Sequence, residues 1–403
     1  MDKDKRKKQV SFVEFVGLMA SLIALMALSI DTILPALPFM AKDLNVVKDN
    51  QIQYVISALF LGFTFGQVIY GPVSDSVGRK TTVYIGLVIF IGGSLISLFA
   101  NNLRIMIAGR LLQGFGVASP RTISMAMTRD LYKGRDMARV TSFIMSVFIF
   151  VPAAAPALGQ LILYFSHWNA IFIMLILFAL VILTWIAIRL PETLHASDRK
   201  EFSLLTICKN FSKVVNNKIT LGYATCAGLI FGGLIGYLNS AIQIFKEYFH
   251  VENLFPLYFA ISALSIGVSS VVNSMIVRRY GMALISRYAL ITMITISTLF
   301  LIILTIQSHK VFIWQFMIYT PLMFFCFGML FGNLNAIAME PMGHIAGIAS
   351  AVIGCLSSII SVTIGTIIGQ AYNGTLIPLA AGFLILSAST FILQLWLTPL
   401  SKN

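Results

Sequence analysis

Apolar runs of roughly 20 residues recur along almost the whole chain, separated by short polar loops, and this pattern constrains the fold more than any motif. A spanning α-helix needs about 20 mostly apolar residues, whereas a barrel strand needs about ten in alternation. The runs here are continuous, which selects helices. Twelve spans are legible, roughly 12–40, 54–72, 81–100, 104–127, 140–164, 169–189, 219–243, 255–277, 288–306, 312–337, 347–371 and 376–399. Composition agrees: 58% of the 403 residues are hydrophobic and 11% are charged, too little polar surface to coat a soluble globule of this size. The expected fold class is an all-α integral membrane protein.

A net charge of +13 would suit nucleic acid if the cations shared one face. They do not. Threading the chain with its N-terminus inside leaves only Lys42, Lys48, Arg104, Lys246 and Lys310 on the far side and Arg110 and Arg121 within the fourth span. The rest of the 28 Lys and Arg fall with the termini. Cytoplasmic loops carry such an excess, so both termini are expected in the cytoplasm and no nucleic-acid partner is expected. The first apolar run is longer than a signal-peptide core and many similar runs follow it, so it reads as an uncleaved first helix. The cysteines, Cys208, Cys226, Cys326 and Cys355, show no metal-ligand spacing and no exposed outside pair. No disulfide, metal or other cofactor is expected.

The longest loop, 190–218, opens with Pro191-Glu192-Thr193 and divides the chain. The expected organisation is a basic tail (1–11), a six-helix bundle (12–189), a cytoplasmic linker (190–218), a second six-helix bundle (219–399) and a short tail (400–403). Two sixes suggest parallel repeats around a central cavity. Gly281 placed opposite Gly78 sets Arg278 opposite Asp75, a weak echo without the acid. Glycine pairs at four-residue spacing, such as Gly62/Gly66 and Gly365/Gly369, are expected to serve helix packing.

Three places carry chemistry. Gly71-Pro72-Val73-Ser74-Asp75-Ser76-Val77-Gly78-Arg79-Lys80 reads as a tight, charged connection whose glycines permit close approach and reversal while Asp75 reaches Arg79 and Lys80. Asp31 lies among apolar turns, where an ionised and unpaired carboxylate costs several kcal/mol. Counting from the span ends at the helical rise puts Asp31 about 13 Å and Arg110 about 10 Å below the far side, at similar depth. If both face the cavity, they are placed to pair directly or through water. A proton carrier requires burial to oppose ionisation of Asp31 more than Arg110 favours it. A permanent pair that only fixes packing is the alternative.

The charged connection resembles the signature loop between the second and third helices of the major facilitator superfamily. Arg110-Leu111-Leu112-Gln113-Gly114 resembles the fourth-helix motif of its drug:proton antiporters. Asp31-Thr32-Ile33-Leu34-Pro35-Ala36-Leu37-Pro38 resembles the first helix of the Bcr/CflA efflux group, as do Arg129-Asp130-Leu131-Tyr132, Pro191-Glu192-Thr193-Leu194 and His344-Ile345-Ala346-Gly347. The resemblance spans nearly the whole chain. It implies the major facilitator fold and assigns Gly71, Asp75, Gly78, Arg79 and Lys80 to a conformational latch on the cytoplasmic side. It also implies the antiporter fifth-helix motif at Pro152, Pro156 and Gly159, with Gln160 where a second glycine is usual.

The function so implied is proton-coupled export of small amphipathic or drug-like molecules by alternating access, from a bacterial inner membrane. The expected partners are a small-molecule substrate, protons and the lipid bilayer, with the chain a monomer. An amino acid or siderophore transporter on the same fold is the alternative, and a transport-dead sensor a remoter one. No phosphate loop, His-Glu-x-x-His or Gly-x-Ser-x-Gly is present, so neither ATP-driven transport nor an enzyme is expected. Gln113, Tyr237, Asn239, Gln243, Asn333 and Asn335 are candidate cavity residues, although each equally suits a bond to a neighbouring helix. Arg121 is expected to snorkel near the cytoplasmic edge. Glu14 is read as an interfacial charge, and Glu340 and His344 as loop contacts.

Overall fold

A computed structural model describes residues 10–199 and 211–397, without the side chains at 135, 138, 146–148 and 343–346. Twelve long helices account for most of it: α1 (Phe12–Asp31), α2 (Tyr54–Val77), α3 (Arg79–Leu98), α4 (Leu103–Leu131), α5 (Gly134–Phe165) and α6 (Asn169–Arg189), then α7 (Lys218–Gln243), α8 (Phe255–Tyr280), α9 (Met282–Ile306), α10 (Ile313–Met339), α11 (Ala346–Gln370) and α12 (Ile377–Leu397). Eleven helical segments among the described residues are long and apolar enough to cross a membrane. The helix outside that set is α4, 29 residues long, whose Arg104, Arg110, Arg121, Arg129 and Asp130 dilute its apolar character. Local signals start several helices: Ser11, Asn102 and Asn217 each accept a hydrogen bond from a first-turn N–H.

Helices α1–α6 pack on one another and α7–α12 on one another, giving two six-helix bundles. Within the first, α2 and α4 run parallel, with Val55 against Arg110 and Leu59 against Gly114 at a constant offset. Gly62 and Gly66 are part of that seam, where a Cβ on either would meet Leu111, Phe115 or Ala118. The bundles meet along two further seams, α2 with α11 and α5 with α8.

The face where α1 begins and α12 ends is here called proximal, and the opposite face distal. The α2–α11 seam holds from the distal face down to Gln67, whose Nε2 donates to Ser358 Oγ at 3.2 Å. The α5–α8 seam holds down to Ile149 and Gly267. Closer to the proximal face, no hydrogen bond or ion pair between described residues crosses from one bundle to the other. The hydrogen bonds that join the two bundles among the described residues are thus gathered toward the distal face.

Helices and apolar runs differ in extent for a physical reason. Residues 12–40 were expected as one helix, yet α1 stops at Asp31. Residues 128–139 were expected as loop, yet α4 continues to Leu131 and α5 starts at Gly134. An apolar run measures the hydrocarbon a helix crosses, and Arg129, Asp130, Asp136 and Arg139 belong to turns that project beyond it. Arg121 lies well inside the helix, whatever its distance from the hydrocarbon edge. Ten more helical residues follow it, about 15 Å of rise, and its side chain is half-buried.

Candidate transport site and latch

The break in α1 follows from Pro35, which has no N–H to offer the carbonyl of Asp31, and Pro38 repeats the defect nearly one turn later. The chain passes through a 3-10 turn, Leu34–Ala36, into a short helix, Leu37–Asp43. Asp31 sits at the discontinuity, 5% exposed. On its α5 side Gly159 packs so close that a Cβ there would strike the Thr32 carbonyl, which brings the α5 motif against the residue after Asp31. Pro152 and Pro156 lie inside α5, about two turns and one turn before that contact. Gln160 reaches the other bundle, its Nε2 donating to the carbonyl of Asn253 at 3.2 Å.

Arg110 is fully buried at the depth expected from the sequence, but it does not pair with Asp31. Its Nη2 donates to the carbonyl of Ser29 at 2.8 Å, its Nε to the carbonyl of Val55 at 3.0 Å and its Nη1 to Gln113 Oε1 at 2.5 Å. The guanidinium thereby ties α1, α2 and α4 together through main-chain oxygens. Among the described residues, no hydrogen bond or ion pair reaches the Asp31 carboxyl. Direct pairing, one of the arrangements the sequence left open, is not what the structure holds: the cation is committed to two carbonyls and Gln113, and the acid has no partner among the described residues.

The expected cavity residues separate. Gln113 is fully buried between α3 and α4, donating to Ser94 Oγ at 2.8 Å. Tyr237 is buried between the rings of Phe259 and Phe324. Asn333 and Asn273 exchange amide hydrogen bonds of 2.9 and 3.0 Å between α10 and α8. Asn335 donates to the carbonyl of Phe331 in its own helix. Asn239 and Gln243 lie in the distal seal. Three aromatic rings do meet where the bundles part: Phe60 of α2, Phe231 of α7 and Phe331 of α10, with centroids 6.2 and 5.2 Å apart.

The latch is mostly helix. The decapeptide from Gly71 was expected to be a connection, but α2 continues through Pro72 to Val77 and only Gly78 separates it from α3. Gly78 has φ +105°, and Gly281 at the matching junction has φ +78°, conformations open to glycine. Gly71, expected at a close approach, would place a Cβ against nothing. Arg79 donates to Asp75 Oδ1 at 2.5 Å, to Ser74 Oγ at 2.6 Å and to Asp130 Oδ2 at 3.0 Å. Lys80 turns away from Asp75 to the carbonyl of Ala187, at 3.2 Å.

Sequence reasoning missed the third acid of this cluster, Glu192. Its carboxylate accepts from the main-chain N–H groups of Arg79 and Lys80 at 2.9 and 3.1 Å, capping α3 from 113 residues away, and from those of Thr193 and Leu194. The two N–H groups at a helix start leave an orphan pair and a positive dipole end that a carboxylate satisfies. The available signal was the Pro191-Glu192-Thr193 string at the head of the linker. Glu192→Ala is expected to remove about 1–2 kcal/mol of local stability and to slow turnover several-fold with substrate Kd little changed. Glu192→Gln should recover part of the loss. Turnover and binding compared in proteoliposomes check this, and a proportional loss of both would contradict it. Elsewhere, Glu14 is engaged by Arg189 at 2.5 and 2.7 Å, which joins α1 to α6. Glu340 is exposed, while the side chain of His344 and all of Cys208 lie outside the described residues.

Comparison with known proteins decides the family, because the Major Facilitator Superfamily profile matches residues 19–366. The chain belongs to the major facilitator superfamily. This is a family of multi-pass membrane transporters, not of enzymes. Similar proteins include an uncharacterized MFS-type transporter, YdgK, of Bacillus subtilis, 30% identical over 93% of this chain and 92% of the relative. The bicyclomycin resistance protein homolog of Haemophilus influenzae is 28% identical, covering 92% and 93% of the two chains. Multidrug resistance protein D of Escherichia coli is 25% identical, covering 99% and 98%. These names are consistent with the Bcr/CflA drug:proton antiporter group. The human organic anion transporter MFSD10 (TETRAN) shares the fold, with a TM-score of 0.64 at 16% identity over 96% of this chain and 100% of that structure.

Proposed function

We propose that this superfamily member is a proton-coupled exporter of small amphipathic molecules in a bacterial cell membrane, with its termini and proximal opening in the cytoplasm. The observation that carries the reading is Asp31: a carboxyl 5% exposed, at a helix break, with no partner among the described residues, while Arg110 is committed elsewhere. Ionising such a group without compensation costs several kcal/mol. It therefore holds its proton while sealed and releases it when water or a cationic cargo reaches it. That exchange couples proton movement to cargo movement. The Phe60, Phe231 and Phe331 rings offer the apolar part of a cargo a surface at the junction of the bundles. The names of the relatives support drug-like cargo.

Purified protein in proteoliposomes, challenged with cationic, neutral and zwitterionic compounds, is expected to release protons with at least one cationic amphiphile. Binding and flux without proton release would reject the coupling.

A further inference from the structure

The side-chain hydrogen bonds that cross the distal seal join uncharged polar groups of the two bundles, with the carboxylate of Glu247 beside Gln243 and Tyr372 on the second bundle and Asp49 acting on it from the first. Asn50, just before α2, donates through Nδ2 to the carbonyls of Gln370 and Tyr372 at 3.0 and 2.8 Å, and its Oδ1 accepts from Gln243 Nε2 at 3.1 Å. Gln53 donates to Gln243 Oε1 at 2.6 Å and accepts from Gln370 Nε2 at 3.3 Å, while the same Nε2 lies 2.6 Å from the carbonyl of Asn50. One turn deeper, Asn239 donates to Ser57 Oγ at 3.3 Å and to the carbonyl of Gly365 at 3.1 Å, and Thr366 donates to Ser57 Oγ at 2.8 Å. Gly369 sits inside this cluster, where a Cβ would meet Gln53 Oε1 and the Asn239 side chain.

We propose that this amide cluster is the distal gate, with Gln53 and Gln243 as its positioning residues and Gly369 as the small residue that lets it shut. Amides suit such a gate. A buried ion pair is costly to separate, whereas amides that part on opening exchange their partners for water at little net cost. Two nearly isoenergetic states then interconvert readily. Two layers of bonds make closure depend on register, because α2, α7 and α11 must all be seated for Asn50, Gln53 and Gln370 to find one another. The inference rests on alternating access, not on proton coupling or cargo, so it stands or falls separately from the reading of Asp31.

The test is a distance measurement across the proximal opening. Spin labels at Lys133→Cys and Arg279→Cys, exposed residues on the two bundles, are placed in a background with the four native cysteines replaced. The wild-type gate is expected to give mainly the long, proximally open distance. Gln53→Ala and Gly369→Ala should each move the ratio of open to closed populations about fivefold or more toward the short distance, the effect of losing one or two hydrogen bonds. Gln53→Lys and Gln243→Glu should each do the same, and the double variant should return the ratio to within about twofold of wild type. Unchanged distances in folded Gln53→Ala protein would overturn the gate. So would charged single variants that the double variant does not restore.

Discussion

Asp31→Asn is expected to cut substrate-driven proton release at least tenfold, to background, while leaving the protein folded. The two halves of that expectation have one cause. The carboxyl makes no hydrogen bond or ion pair with the described residues, so its replacement by a near-isosteric amide breaks no contact. Removing an ionisable group from a buried site also removes the cost of any ionised population. Melting in detergent should therefore match or exceed that of wild type. What is lost is the proton itself, since an amide has none to exchange near neutral pH. Asp31→Glu should keep coupling with altered pH dependence. Proton release retained in Asp31→Asn would demote the residue to packing, and loss of folding would show that an unseen partner had been removed.

Apolar run length and the long 190–218 loop made the twelve helices and their division readable from the chain, because membrane spans are set by long apolar runs. The helix ends were less legible. Turns beyond the hydrocarbon carry ordinary polar sequence, so α4 and α5 overran their expected limits. The break at Asp31 was written in Pro35 and Pro38, but the long apolar run concealed it. The depth of Arg110 followed from the helical rise, whereas its direction did not. One dimension gives the level of a side chain and not which carbonyl it faces, so a pair with Asp31 stayed open as a reading where a staple of three helices exists. Asn239 and Gln243 were recognised as polar groups at membrane depth. Their place in a seal depended on Asn50 and Gln370, more than 100 residues away, which no local pattern links to them.

Arg110→Ala is expected to cost about 3–5 kcal/mol of stability, as when one member of a buried charged network is removed. The carbonyls of Ser29 and Val55 and Oε1 of Gln113 would lose their guanidinium donor at full burial. Arg110→Lys should recover only part of this, because an ammonium lacks the planar fork that spans α1 and α2 together. The decisive comparison is with Asp31. Were the two a charge pair, deleting the arginine would strand a carboxylate, and Asp31→Asn would restore stability to Arg110→Ala protein. If Arg110 is a staple, the double variant should melt with the Arg110→Ala single variant, the two effects adding within about 0.5 kcal/mol. Restoration would return Arg110 to the proton site. Its absence would leave the acid alone there, with its charge answered only by the proton, water or cargo that reaches the break in α1.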